Sequence, residues 1–214
     1  MNADSPLRSG LTLAGIAVLG VALLTGIHHL TRERIAAQQR DAVAMRLSQV
    51  LAPDRYDNDL LHDVIQVTDP ETFGHPGPAT VYRARRDGQP VAVVMEVTAP
   101  NGYNGPIRML VGILADGSIS GVRVVSHRET PGLGDPIEAR RSDWITRFEG
   151  RSLRDPTPEG WAVRRDGGEF DQFTGATITP RAVVEAVQRA LEYHRAHLDA
   201  LYARQSADEQ STDE

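Results

Sequence analysis

The chain contains no cysteine and no lysine; all 23 of its basic residues are arginine. Without cysteine there are no disulfides, no thiolate zinc site, no iron–sulfur ligation and no Cys-x-x-Cys-His haem attachment. Without lysine there is no Schiff-base chemistry and no P-loop lysine. An excess of basic charge is missing too. The net charge is −6, which argues against a nucleic-acid partner. Four of the acidic residues lie in Gln205–Glu214, which has no basic residue. That stretch is poor in apolar residues and reads as a disordered acidic tail.

What the chain does have is an uneven distribution of apolar residues. Ser9 to Thr31 holds no Asp, Glu, Lys or Arg over 23 residues, roughly 34 Å as a helix. Residues 11–30 are therefore expected to form one transmembrane anchor after a short flank, 1–10. The rival reading is a cleaved signal peptide. Against it, the run is longer than an ordinary signal core and no small-x-small cleavage site follows cleanly. Arg32, Arg34, Arg40 and Arg46 follow the run, whereas Arg8 alone precedes it. By the positive-inside rule this places the C-terminal part in the cytoplasm, although the rule is weaker for large exported domains.

Residues 31–53 read as a helical stalk, stopped by Pro53, with Ile35, Ala42, Leu47, Val50 and Leu51 among polar residues. From 54 to 204 the pattern changes. A short strand is possible at Val64–Val67. Asp87-Gly88 separates Thr80–Arg86 from Pro90–Thr98, and Asp116-Gly117 separates Arg108–Leu114 from Ile119–Ser126. Asp166-Gly167-Gly168 separates Trp161–Arg165 from Phe170–Phe173. Asp-Gly between β-branched runs predicts a hairpin. Helices are expected over Pro136–Phe148 and Pro180–Arg204, the second capped by Thr179, with Val183, Val184, Val187, Leu191, His194, Leu198 and Leu201 on its apolar face. The expected fold class is α+β: a single N-terminal transmembrane helix, then a largely antiparallel sheet packed with helices.

The stretch richest in chemistry is Asp171-Gln172-Phe173-Thr174-Gly175-Ala176-Thr177. Two hydroxyls flank two small residues before a helix N-terminus, an arrangement that suits an anion, although from composition alone an ordinary cap and turn is favoured. A second small-residue loop is Thr130-Pro131-Gly132-Leu133-Gly134. It lacks the third glycine of a dinucleotide fingerprint, because position 137 is Ile137.

The first segment resembles the flavinylation motif of the FMN-binding domain family: acid, two residues, Ser/Thr, Gly, Ala, Ser/Thr. The second, with Glu129 before it, resembles the Glu-Thr-Pro-Gly-Leu-Gly signature of the G subunits of Rnf electron-transport complexes. Ala99–Gly105 and Trp144 fall where those subunits have similar residues, and the likeness runs from the anchor to the last helix. The C subunit of the sodium-pumping quinone reductase shares the domain but is usually longer. The resemblance implies FMN joined to Thr177 as a phosphoester, with Asp171, Thr174, Gly175 and Ala176 as recognition and positioning residues. It also implies a flavin transferase using FAD, other membrane subunits as partners, and a bacterial inner-membrane location with the soluble domain in the periplasm, against the arginine count. Ferredoxin/NAD electron transfer coupled to proton or sodium transport is the implied activity. Thr130, Gly132, Leu133 and Gly134 are inferred to pack near the flavin, since glycine permits close backbone approach.

No acid/base pair, nucleophilic triad or metal site is evident, so turnover by this chain alone is not expected. The alternatives are an anchored flavin-binding redox sensor and a flavin-free adaptor. His194 and His197 read as a solvated or packed pair rather than metal ligands. His127 reads as a flavin-tuning or plain strand-end residue. Arg83, Arg85 and Arg86 read as a solvated strand face, with docking of an acidic partner as the alternative. Tyr103 and Trp144 are either ring neighbours or core aromatics, with core favoured.

Overall fold

A computed structural model describes residues 6–203; the tail expected at 205–214 lies outside them. The chain divides into two compact units, Met1–Val43 and Ala44–Glu214. Helix α1, Pro6–Ser48, runs for 43 residues. Among the described residues, no helix is long and apolar enough to cross a membrane. Within the expected anchor, the side chains at 12, 27, 29 and 30 lie outside those described. Leu11, Leu13, Ile16, Val18, Leu19, Val21, Leu23 and Leu24 are exposed.

The second unit is built on a five-stranded antiparallel meander in the order β1-β2-β3-β4-β5: β1 Val64–Val67, β2 Ala79–Arg86, β3 Gln89–Ala99, β4 Ile107–Leu114 and β5 Ile119–Ser126. The Asp-Gly turns at 87–88 and 116–117 join β2 to β3 and β4 to β5, as expected. Asp87 and Gly88 both hold positive φ, at 52° and 73°, the backbone a two-residue hairpin needs. Alternation along β4 sends Ile107, Met109, Val111 and Ile113 to one core face. There they meet Val183, Val184, Val187 and Leu191 of α3, Ile178–Ala196. The opposite face is also covered. Leu47, Val50 and Leu51 are buried, and the Val50 carbonyl accepts the Ser120 hydroxyl at 2.7 Å. Gly112 and Gly121, paired across β4 and β5, leave room for the Val50 backbone, which a Cβ at either would approach to 2.9 Å.

Three expectations are corrected. Residues 161–173 form no hairpin. Val163 and Phe170 make one isolated parallel bridge, and Trp161 and Phe170 go instead into an aromatic cluster with Phe148. Pro136–Phe148 is no α-helix but two 3-10 turns, Asp135–Ile137 and Trp144–Phe148. The C-terminal helix breaks at His197 and resumes as α4, Leu198–Tyr202, so that the Tyr202 hydroxyl lies 3.1 Å from His194 Nε2. Between β1 and β2, Pro70–Phe73 forms a single turn, α2, capped by Asp69, which accepts the Thr72 N–H at 3.1 Å.

Candidate functional site

The meander sets the site. Ala99 pairs with Ile107 and Arg108 with Ser126, so the β3–β4 loop and the segment after β5 leave the same end of the sheet. The N-terminus of α3 packs there as well. These three segments enclose a cavity of about 380 Å³. Tyr103 comes from the first, Glu129, Thr130, Leu133 and Gly134 from the second, and Gly175 to Thr179 from the third.

Each segment has a local reason for its shape. The Ala176 N–H donates to the Phe173 carbonyl at 3.1 Å, closing a turn with Gly175 third at φ +81°. A type II turn requires positive φ at that place, which glycine supplies without strain. Thr177 then takes the N-cap position of α3 with no side-chain capping bond; its hydroxyl is not used to hold the helix. Thr179, expected as the cap, lies in the first turn, buried, and donates its hydroxyl to Glu129. The cap shifted because the turn ends at Ala176, two residues earlier than Pro180 alone suggested. In the second segment the Thr130 carbonyl accepts N–H bonds from Leu133 and Gly134 at 3.1 and 3.0 Å. Gly132, at φ +78°, donates its N–H to Asp135 Oδ1 at 2.7 Å.

Of the nine residues singled out from sequence, Thr130, Leu133, Gly134, Gly175, Ala176 and Thr177 line this cavity. The other three do not. Gly132 turns the loop. Thr174 is exposed in the preceding turn. Asp171 pairs with Arg147 and, at 3.1 Å, with Arg164, while its carbonyl accepts the Trp144 indole N–H at 2.7 Å. Those bonds tie the start of the motif to the 3-10 turn at Trp144.

Among the residues weighed less firmly, Tyr103 is 65% exposed and lines the cavity, against the core role favoured from sequence. Trp144 is buried, edge-on to Phe148 and Phe173. His127 takes the strand-end role. Its Nδ1 accepts the Glu129 N–H at 3.0 Å and its Nε2 meets Glu138 at 2.8 Å. Arg83 is buried on Asp63 rather than solvated. Among the described residues no cluster of three His, Asp or Glu is placed to hold a metal. Sequence reasoning missed Glu129, Ile178 and Thr179 as cavity residues. Glu129 opens the Glu-Thr-Pro-Gly-Leu-Gly segment, whereas the signal for Ile178 and Thr179 was adjacency to Thr177.

A larger cavity, about 710 Å³, lies elsewhere, between Arg123–His127 and Glu138–Arg140. It contains none of the motif residues, and its charges are matched within it and around it: Arg123 with Glu149, and Glu138 with both His127 and Arg140. The smaller cavity sets the apolar Leu133 and Ile178 beside the polar groups of Tyr103, Glu129, Thr130, Thr177 and Thr179, and its volume falls within the ~300–1,000 Å³ of ligand sites.

Residues 102–192 match the FMN-binding domain, and residues 1–50 match the RnfG N-terminal region. The G subunit of the ion-translocating oxidoreductase complex of Pseudomonas aeruginosa is 47% identical over 203 residues, 95% of each chain. Those of Pseudoalteromonas atlantica and Vibrio cholerae are 44% and 45% identical over 196 and 195 residues, covering 92% and 91% of this chain and 91% and 93% of theirs. The chain belongs to this family of G subunits. Every residue lining its smaller cavity lies inside the FMN-binding match. The residues fit the group. Gly175 and Ala176 keep side-chain bulk away from Thr177, and a Cβ at Gly175 would meet only Leu133 Cδ2, at 3.9 Å. Tyr103, Leu133 and Ile178 supply exposed apolar surface for a flat ring.

Proposed function

We propose that this chain is a membrane-anchored electron carrier with FMN joined to Thr177, serving an ion-translocating oxidoreductase complex. The observation that carries the reading is the place of Thr177: an uncapped hydroxyl at the N-terminus of α3, on the wall of a ligand-sized cavity. Bound flavin exchanges one or two electrons and so joins unlike redox partners. The free N–H groups and positive dipole end of α3 favour a phosphate held at Thr177. Tyr103, Leu133 and Ile178 cover apolar ring faces and keep water from them. Asp171, held by Arg147 and Arg164, fixes the segment that presents Thr177. A threonine hydroxyl is a weak nucleophile, so attachment calls for a flavin transferase with FAD as donor.

The uncharged stretch 11–30 anchors the chain as a single pass in a bacterial inner membrane, where its exposed leucines and valines meet lipid. The flavin domain faces the periplasm beside other membrane subunits, whose insertion overrides the arginine-rich flank. Covalent attachment retains FMN where replacement from the cytoplasm is barred. The complex passes electrons between ferredoxin and NAD and moves protons or sodium. The test is intact mass and peptide mapping of the chain produced and exported with a flavin transferase. One FMN less one water is expected on Thr177, and Thr177→Ala is expected to fold but carry none. Covalent flavin persisting in that variant, or an unmodified wild-type chain despite active transferase, overturns the reading.

A further inference from the structure

Glu129 is the buried carboxyl side chain of the cavity. It is 4% exposed, lines the cavity, and among the described residues makes no ion pair. Its partners are two donors: the Asn104 backbone N–H reaches Oε1 at 3.1 Å, and the Thr179 hydroxyl donates to Oε2. Each carboxyl oxygen thus has a partner, and neither partner carries a charge. None of the chain's 23 arginines pairs with it among the described residues; the Asn104 N–H and the Thr179 hydroxyl stand in their place.

The backbone makes room for it. A Cβ at Gly134 would come within 2.8 Å of Glu129 Cβ and 2.9 Å of Oε2, and a Cβ at Gly102 within 2.9 Å of Oε1. The main-chain N–H of Glu129 is fixed by His127 at 3.0 Å. Two glycines from two loops, a histidine and a hydroxyl on α3 thus hold one carboxylate at the wall of the cavity.

We propose that Glu129 sets the reduction potential of the flavin, holding it low. This rests on the cavity being the flavin site. An electron entering the ring adds negative charge, and a fixed carboxylate beside it, in a medium far less polarisable than water, disfavours that charge. The Thr179 hydroxyl moderates the effect by donating to the same carboxylate. Removing the charge and removing its donor therefore shift the potential in opposite directions.

The experiment is a redox titration, at pH 8, of the flavin-loaded full chain and two variants, each first checked by intact mass. Glu129→Gln keeps the contacts, because the amide oxygen accepts from Asn104 and the amide NH2 donates to the Thr179 hydroxyl. Its midpoint is expected to rise. Thr179→Val leaves the carboxylate less neutralised, and its midpoint is expected to fall. An unchanged or lowered midpoint in Glu129→Gln, or an unchanged or raised one in Thr179→Val, overturns the proposal. A role in packing alone moves neither variant, or both in one direction. Should Glu129→Gln fail to take flavin, the sign of the shift in Thr179→Val decides. A wild-type chain with no flavin on Thr177 shows at the mass stage that the carrier reading has failed, and this inference falls with it.

Discussion

Gly175 and Gly134 show two different reasons for a glycine. Gly175 is needed for its backbone, at φ +81°, with open space around the missing side chain. Gly175→Ala is expected to cost about 1 kcal/mol, seen as a modest drop in melting temperature with folding retained. Gly134 is needed for space. Its added Cβ would press on Glu129 at 2.8 Å and on Thr179 Oγ1 at 3.0 Å. Gly134→Ala is expected to cost about 1–3 kcal/mol as an overpacked substitution, and to slow flavin attachment by displacing the wall of the cavity. Denaturant unfolding and a time course of flavin incorporation measure both. The Thr-Gly-Ala-Thr motif was legible in sequence as a turn before a helix. That Thr177 rather than Thr179 takes the cap was not, because the closing bond from Ala176 to Phe173 is a three-dimensional fact.

At the scale of elements, two buried polar groups decide how the C-terminal helices sit. Arg83 on β2 bonds Asp63 through Nε at 2.6 Å and the Ala203 carbonyl through Nη1 at 2.6 Å. Arg85 bonds the same carboxylate at 2.9 Å. Asp63→Asn leaves the buried Arg83 without its counter-charge and is expected to cost about 3 kcal/mol, measured by urea unfolding. The arginine-rich strand suggested a solvated face, which holds for Arg86; Asp63, twenty residues before Arg83 in sequence, draws Arg83 and Arg85 into a clamp. His194 is the second group. Burial on α3 holds its pKa down at about 4, against an ordinary 6.5. The folded state therefore binds fewer protons than the unfolded chain between those values. Its contribution is fully present above pH 6.5 and is lost as pH falls toward 4, by up to about 1.4 kcal/mol per pH unit. His194→Gln is expected to flatten the melting temperature across that window. Glu138, held at about 2 by Arg140 and His127, loses its share only at lower pH, so the two are separable.

The whole molecule divides into compact units at Val43 and Ala44. Leu47, Val50 and Leu51 are buried, and the Val50 backbone fills the groove left by Gly112 and Gly121. A chain truncated to begin at Ala44 is expected to fold and remain in the soluble fraction. One beginning at Asp54 is expected to aggregate or melt at lower temperature, because the second sheet face is stripped. Fractionation and thermal denaturation of the two compare them directly. The sequence by itself determined the α+β class, two of the three expected Asp-Gly hairpins, the apolar face of α3 from Val183 to His194 (but not Leu198, which is exposed beyond the break) and the two loops that carry the motifs. Each is written in local periodicity or turn chemistry, which short stretches of chain specify alone. Only the tertiary structure decided that Trp161 and Phe170 leave the sheet for an aromatic cluster, and that Tyr103 faces the cavity. It also decided that Glu129 is the carboxylate all three loops enclose. Those outcomes depend on which residues meet across 9 to 75 positions of chain, and no local pattern encodes that.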